Sequence, residues 1–157
     1  MYSAASHIEK PKEQPVVLSE KFMSCIAEGD VNSIYNMLDP NVSMVTPMGL
    51  NHGRPDVRSW LAFDARVMKS CNAKIEFSGS TGEGDALKTA RSTWTVGALA
   101  FTDVISLNQM LLIKSIRRTM VRRTPRNAAE KAHTEKLLLA WTGPHFAKYC
   151  APKKVGI

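Results

Sequence analysis

Cysteine is scarce and scattered in this chain. Cys25, Cys71 and Cys150 are odd in number, widely spaced and form no CxxC pair. That excludes a disulfide framework and a thiolate zinc site, and it fits thiols kept in a reducing compartment. Long apolar runs are also missing: none approaches the ~20 residues that a membrane-spanning helix needs. The opening stretch MYSAASHIEKPKEQPVV lacks the apolar core of a secretory signal, and its two glutamates and absent arginine make it a poor transit peptide. These absences point to an intracellular protein, in the cytoplasm ahead of an organelle such as the mitochondrion. The chain has no HExxH, no GxSxG, no phosphate-cradling glycine loop and no metal-ligand cluster. Neither a metal nor a cofactor is expected.

What is present is one domain's worth of chain, 157 residues, long enough to bury a core. The organising stretch runs from Leu18 to Leu61. Leu18, Phe22, Cys25 and Ile26 form one helical stripe. Gly29 suits the left-handed residue that ends such a helix, and Asp30 can cap the next one. Val31, Ile34, Tyr35 and Leu38 repeat the stripe, and Asp39-Pro40 stops it. Val42 to Val45 reads as a short strand, followed by a turn rich in proline and glycine. Pro55 fits the first turn of a third helix, whose stripe holds Val57, Trp60, Leu61, Asp64, Val67 and Met68.

The remainder is strand-like. Lys74 to Ser78 is one candidate, before a turn SGSTGEGD. Ala90, Ser92, Trp94 and Val96 alternate with Thr89, Arg91, Thr93 and Thr95, the period of a half-buried strand. Gly97 reads as a bulge, and Asp103 as the rim residue of a long strand over Thr102 to Ile113. A further strand over Ile116 to Arg123 either follows a tight Lys114-Ser115 link or continues the same bent strand. Helices first and strands afterwards predict an α+β domain. A last helix is expected over Asn127 to Trp141, ended by Gly143-Pro144.

Charge is uneven. Lys114 to Ile157 carries 11 Lys/Arg against Glu130 and Glu135, whereas the first 113 residues carry 10 basic and 12 acidic groups. The basicity belongs to the C-terminal part. Lys114, Arg117, Arg118, Arg122, Arg123 and Arg126, with Lys153 and Lys154, are the candidate contacts for an acidic partner surface. Nucleic acid is a weaker reading, because no stacking aromatics interleave with these residues.

The segments AEGDVNSIYNMLDPNV and HGRPDV resemble the front half of the nuclear transport factor 2-like superfamily, especially its SnoaL-like branch. The resemblance covers residues 17–123, leaving 1–16 as an arm and 124–157 as a basic helical extension. It implies a cone, a curved antiparallel sheet packed against three N-terminal helices around a pocket. It also implies a sheet face that commonly dimerises. Relatives resembling ketosteroid isomerase use a carboxylate base, a first-helix tyrosine and an acid deep in the sheet. Here those positions fall on Thr46, on Phe22 and near Asn108, so two of the three groups cannot do that chemistry.

Two functions follow as expectations. The first is a non-catalytic interaction or assembly subunit, using the outer sheet face and the terminal arms. The second is an isomerase, cyclase, dehydratase or binder for an apolar carbonyl compound. Its pocket would be lined by Phe22, Met44, Thr46, Trp60, Trp94, Asn108 and Met110. Asn108 would orient the ligand, and His52 or Asp64 would move protons.

Overall fold

The computed structural model describes residues 14–82 and 88–142. Residues 1–13 of the expected arm, the end of the SGSTGEGD turn, and the tail with His145, Cys150, Lys153 and Lys154 lie outside the described residues.

Helix α1 spans Gln14–Glu28 and α2 spans Val31–Met37. The first begins inside the segment read as an arm, because Pro15 and Val16 are buried in its first turn. Gly29 ends it at φ +71°, a conformation that costs glycine little. Asp30 caps α2, its carboxylate accepting from the Ser33 backbone N–H at 3.2 Å and from the Ser33 hydroxyl at 2.6 Å. Strand β1 covers Leu38–Thr46 and pairs with β2, Gly49–His52. It is longer than Val42 to Val45. Asp39-Pro40 lies within it, where the register against its neighbour shifts between Leu38 and Ser43, an irregularity that tolerates a residue with no N–H.

Helix α3, Arg54–Ser70, crosses to the meander of β3 (Glu76–Gly82), β4 (Thr89–Val96), β5 (Leu99–Leu107) and β6 (Ile113–Arg122). The sheet order is β2-β1-β6-β5-β4-β3, curved and unclosed. It is not wholly antiparallel, since β1 and β6 run parallel. Those strands are joined through α3 and four further strands rather than by a hairpin, so the connection imposes no antiparallel pairing. Three strand expectations are corrected. Much of SGSTGEGD is strand β3. Gly97-Ala98 is the two-residue loop joining β4 to β5, not a bulge. The break between the last two strands falls at residues 108–112, not at Lys114-Ser115.

One face of the sheet is apolar. Along β5 the buried residues alternate as Leu99, Phe101, Asp103, Ile105 and Leu107, and β4 contributes Ala90, Ser92, Trp94 and Val96. Helix α1 packs over β3 and β4, and α3 over β1 and β2. Their Phe22, Met23, Val57, Trp60, Leu61 and Phe63 fill the space between. A second tie is polar: the buried hydroxyls of Ser19 and Ser92 hydrogen-bond, and Ser80 joins Ser92 at 2.7 Å.

Helix α4, Ala128–Thr142, folds back against α3. It docks through three buried residues, Thr134, Leu137 and Trp141. The Thr134 hydroxyl oxygen accepts from the Ala98 N–H at 2.9 Å. Gly97 allows this approach: it has φ +57°, and a Cβ there would stand 2.8 Å from Thr134 Oγ1. Among the described residues, no helix is long and apolar enough to cross a membrane.

Candidate functional site

The chemistry-bearing residues meet inside the cone, not at its rim. Asp103 on β5 and Arg118 on β6 are directly opposed across the sheet. Both occupy inward positions of period-two strands. Arg118 Nε donates to Asp103 Oδ1 at 2.8 Å, and Nη2 donates to Oδ2 at 2.9 Å. This is the two-pronged geometry that fits guanidinium to carboxylate. Arg118 Nη1 reaches Asp64 Oδ2 on α3 at 3.4 Å. From the other side, the Trp141 indole N–H donates to Asp64 Oδ1 at 2.8 Å.

The aromatic residues of the interior close around this cluster. The Arg118 guanidinium lies over the Trp94 ring at 4.8 Å and near Phe101 at 5.9 Å. Trp94 and Phe101 stack at 4.1 Å, and Phe101 meets Trp141 edge-on at 5.9 Å. Asp103 is fully buried, and Asp64 and Arg118 are 2% and 4% exposed. Burial pushes the Asp64 carboxyl up from its ordinary range, against the opposing pull of Arg118 and the Trp141 hydrogen bond. Burial alone would pull the Arg118 guanidinium down, but the two carboxylates more than reverse that, Asp103 most strongly. The centre therefore holds a firmly charged guanidinium between two acids, one gripped at both oxygens and one biased toward its neutral form.

Several expected site residues stand elsewhere. Asn108 is not deep in the sheet. It starts the β5–β6 turn, where its Oδ1 accepts from the N–H groups of Met110 and Leu112 at 2.8 and 3.0 Å. Its Nδ2 donates to Asp39 at 2.5 Å. Met110, at that turn's tip, is 79% exposed and lines no interior pocket. His52 is exposed on the outward side of β2, remote from a cluster that faces inward. The Thr46 hydroxyl holds the β1–β2 turn, accepting from Met48 N–H at 3.1 Å. Phe22, Met44, Trp60 and Trp94 are buried interior residues.

Asp103 is the acid deep in the sheet, not a rim residue. Arg118 is its partner, not a surface contact for another protein. The signal for both was in the sequence. Leu99, Phe101, Ile105 and Leu107 alternate around Asp103, and a carboxylate on an apolar face needs a cation. Three further basic residues of this segment are also engaged within the chain. Arg123 donates to Gly97 O at 2.8 Å, Arg126 pairs with Glu130 at 2.7 Å, and Arg122 lies 3.7 Å from Glu135.

No group of three or more metal-ligating side chains occurs among the described residues. Cys25 and Cys71 are free and buried, and burial pushes the Cys25 thiol up, away from reactivity.

No family model and no curated protein matches this sequence. Solved structures do match. A steroid delta-isomerase from Pseudomonas aeruginosa aligns over 91% of this chain and 99% of its own, with TM-score 0.60 and 18% identity. A SnoaL-like protein of unknown function from Burkholderia thailandensis aligns over 72% of this chain and 99% of its own, with TM-score 0.61 and 11% identity. SalBIII, an epoxide hydrolase/cyclase-like enzyme of pyran ring formation in salinomycin, aligns over 69% and 90%, with TM-score 0.54 and 18% identity. The fold is that of the nuclear transport factor 2-like superfamily, in the form seen in SnoaL-like proteins. At these identities the likeness is one of fold, which by itself assigns no chemistry.

Proposed function

We propose that this chain is a non-catalytic interaction subunit built on a SnoaL-like fold. The observation that carries this reading is the closure of the cone from within. Both oxygens of Asp103 and both oxygens of Asp64 are taken by Arg118 and Trp141. The surrounding Phe22, Met44 and Trp94 are at most 1% exposed. Acids that already have their partners, packed under the chain's own indole, serve to hold α3, α4 and the sheet together.

A contact surface remains on the outward face of the sheet. Thr102, Val104, Ser106, Ser115, Arg117 and Thr119 line a shallow hollow of 460 Å³. Short hydroxyl side chains around a central valine suit pairing with a second copy or with an acidic partner. The test is the native mass of protein purified gently from its source, beside that of the recombinant chain. A large native complex with a small recombinant oligomer is expected. The same monomer or dimer in both would remove the reading's support.

A second reading is favoured by the isomerase- and cyclase-type neighbours and by two acids sharing one guanidinium. In it, α4 swings away, Asp64 delivers a proton to an apolar carbonyl or epoxide oxygen, and Arg118 with Asp103 holds the developing charge. Turnover of cyclic ketones or epoxides by the wild-type chain, abolished by Asp64→Asn, would establish it. Absence of both binding and turnover would dismiss it.

A further inference from the structure

Away from the interior, two guanidinium groups stand together on one aromatic ring. Arg54 and Arg58 lie one turn apart on α3, over the same ring of Tyr35 on α2, 5.4 and 5.9 Å from its centroid. Arg54 Nε donates to Leu38 O at 2.8 Å, and Arg58 Nη2 donates to Asn32 Oδ1 at 2.7 Å. Neither forms an ion pair among the described residues. Like charges at this spacing repel, and both lie in the N-terminal part of a helix, where the macrodipole opposes cations. The tyrosine face offsets part of this cost. Asp39 exerts a weak pull on Arg54, but Arg58 has no ion-pair partner among the described residues.

The shape beside these arginines is a trough. One open groove of 620 Å³ lies between α2 and α3, with Val31, Tyr35, Arg58, Ala62 and Arg66 in its lining. A second, of 750 Å³, shares Val31, Ala62 and Arg66 and continues past Ala65 to Lys69, Lys74 and Ile75. The two run together along the outer face of α3. From Pro55 to Lys69 that face is about 21 Å long, at about 1.5 Å of rise per residue. Its floor is small and apolar at Ala62 and Ala65, so a partner backbone can come close. Its rim is basic at Arg58, Lys69 and Lys74, against one acid, Glu28.

We propose that this trough docks an acidic amphipathic helix of a partner protein, about four turns long. Its apolar stripe lies on Ala62 and Ala65, and its carboxylates face Arg58 and Lys69. Nucleic acid fits less well, because Tyr35, already facing two guanidiniums, is the one aromatic among the trough's lining residues. The inference names a partner's chemistry, consistent with an interaction subunit. It stands apart from the interior cluster, so the two ideas fail independently.

The probe is a fluorescein-labelled 15-residue helical peptide with glutamates along one face and leucine and alanine along the other, read by anisotropy on the full chain. Saturable binding that weakens with salt is expected. A double variant Arg58→Glu, Lys69→Glu should lose at least tenfold in affinity. A control, Lys131→Glu with Lys136→Glu at exposed positions of α4, should bind as wild type does. Thermal melts confirm that both variants fold, and each single variant should lose affinity in the same direction. No saturable binding by wild type, or equal losses in trough variant and control, would overturn the proposal. So would tighter trough-dependent binding of a uridine 15-mer or of phosphatidylserine vesicles than of the peptide.

Discussion

The indole N–H of Trp141 donates to Oδ1 of Asp64 at 2.8 Å, which ties the C-terminal helix to the middle of α3. Through Asp64 the same tie reaches Arg118 and Asp103 on the sheet. Three layers of the molecule are thus joined by one buried polar chain. Buried ion pairs are costly to assemble and costlier to break singly.

That asymmetry gives the first prediction. Arg118→Met leaves two acids buried without their cation and should destabilise the protein by about 3–5 kcal/mol in urea denaturation. The double variant Arg118→Met, Asp103→Leu removes one stranded carboxylate as well. It should be more stable than Arg118→Met alone, a clear failure of additivity. A double variant that loses the sum of the two single effects would show that the residues do not act as a unit.

Asp64 makes a prediction about pH. Burial raises its carboxyl above the ordinary 3.8 in the folded chain, and unfolding returns it to that range. Between the two values the folded state holds the extra proton, so stability falls as pH rises. The contribution of Asp64 is fully present below the ordinary value and is lost as pH climbs through the folded one. Asp30, Asp39 and Glu130 run the other way. They are lowered chiefly by hydrogen bonds from Ser33, the Asn41 backbone and Arg126, respectively. Comparison with Asp64→Asn isolates the first effect. Measured by urea denaturation, the advantage of wild type over the variant should shrink from pH 4 to pH 8. An advantage that grows over that interval would reverse the assignment.

Asn108 should behave as a turn residue. Its side chain accepts two backbone N–H groups and donates to Asp39. Asn108→Ala should cost about 1.5–4.5 kcal/mol, at about 0.5–1.5 kcal/mol for each of three net hydrogen bonds. Asn108→Asp keeps the acceptor but sets a second carboxylate beside Asp39, so it should also destabilise, and more so at pH 7 than at pH 4. A loss of ligand binding with unchanged stability would return Asn108 to a ligand-orienting role.

The helices were legible in the sequence because their signals are local. The stripes at Phe22, Ile34 and Trp60, the stop at Gly29 and the cap at Asp30 each lie within a turn or two of what they control. The sheet was less legible where tertiary contacts decide. Leu111 adopts φ +62° in a turn held by Asn108, and no glycine announces it. Hence the apolar run from Met110 to Ile113 reads as continuous strand. The buried polar cluster is less legible for the same reason. Asp64 stands out on its helical stripe, but Asp103 and Arg118 become neighbours only once the strand register is set. Trp141, 77 residues from Asp64 in the chain, carried no local sign of its hydrogen bond.

The central claim is that the chain closes its own interior. Hydrogen exchange of the Trp141 indole N–H, followed by NMR alongside the backbone amides of β5, tests it most directly. Closure predicts that the indole exchanges only through global unfolding, with the same denaturant dependence as the Phe101 and Ile105 amides. An indole that exchanges quickly while those amides stay protected would mean that α4 opens on its own. The interior would then be a covered site, and the non-catalytic reading would be contradicted.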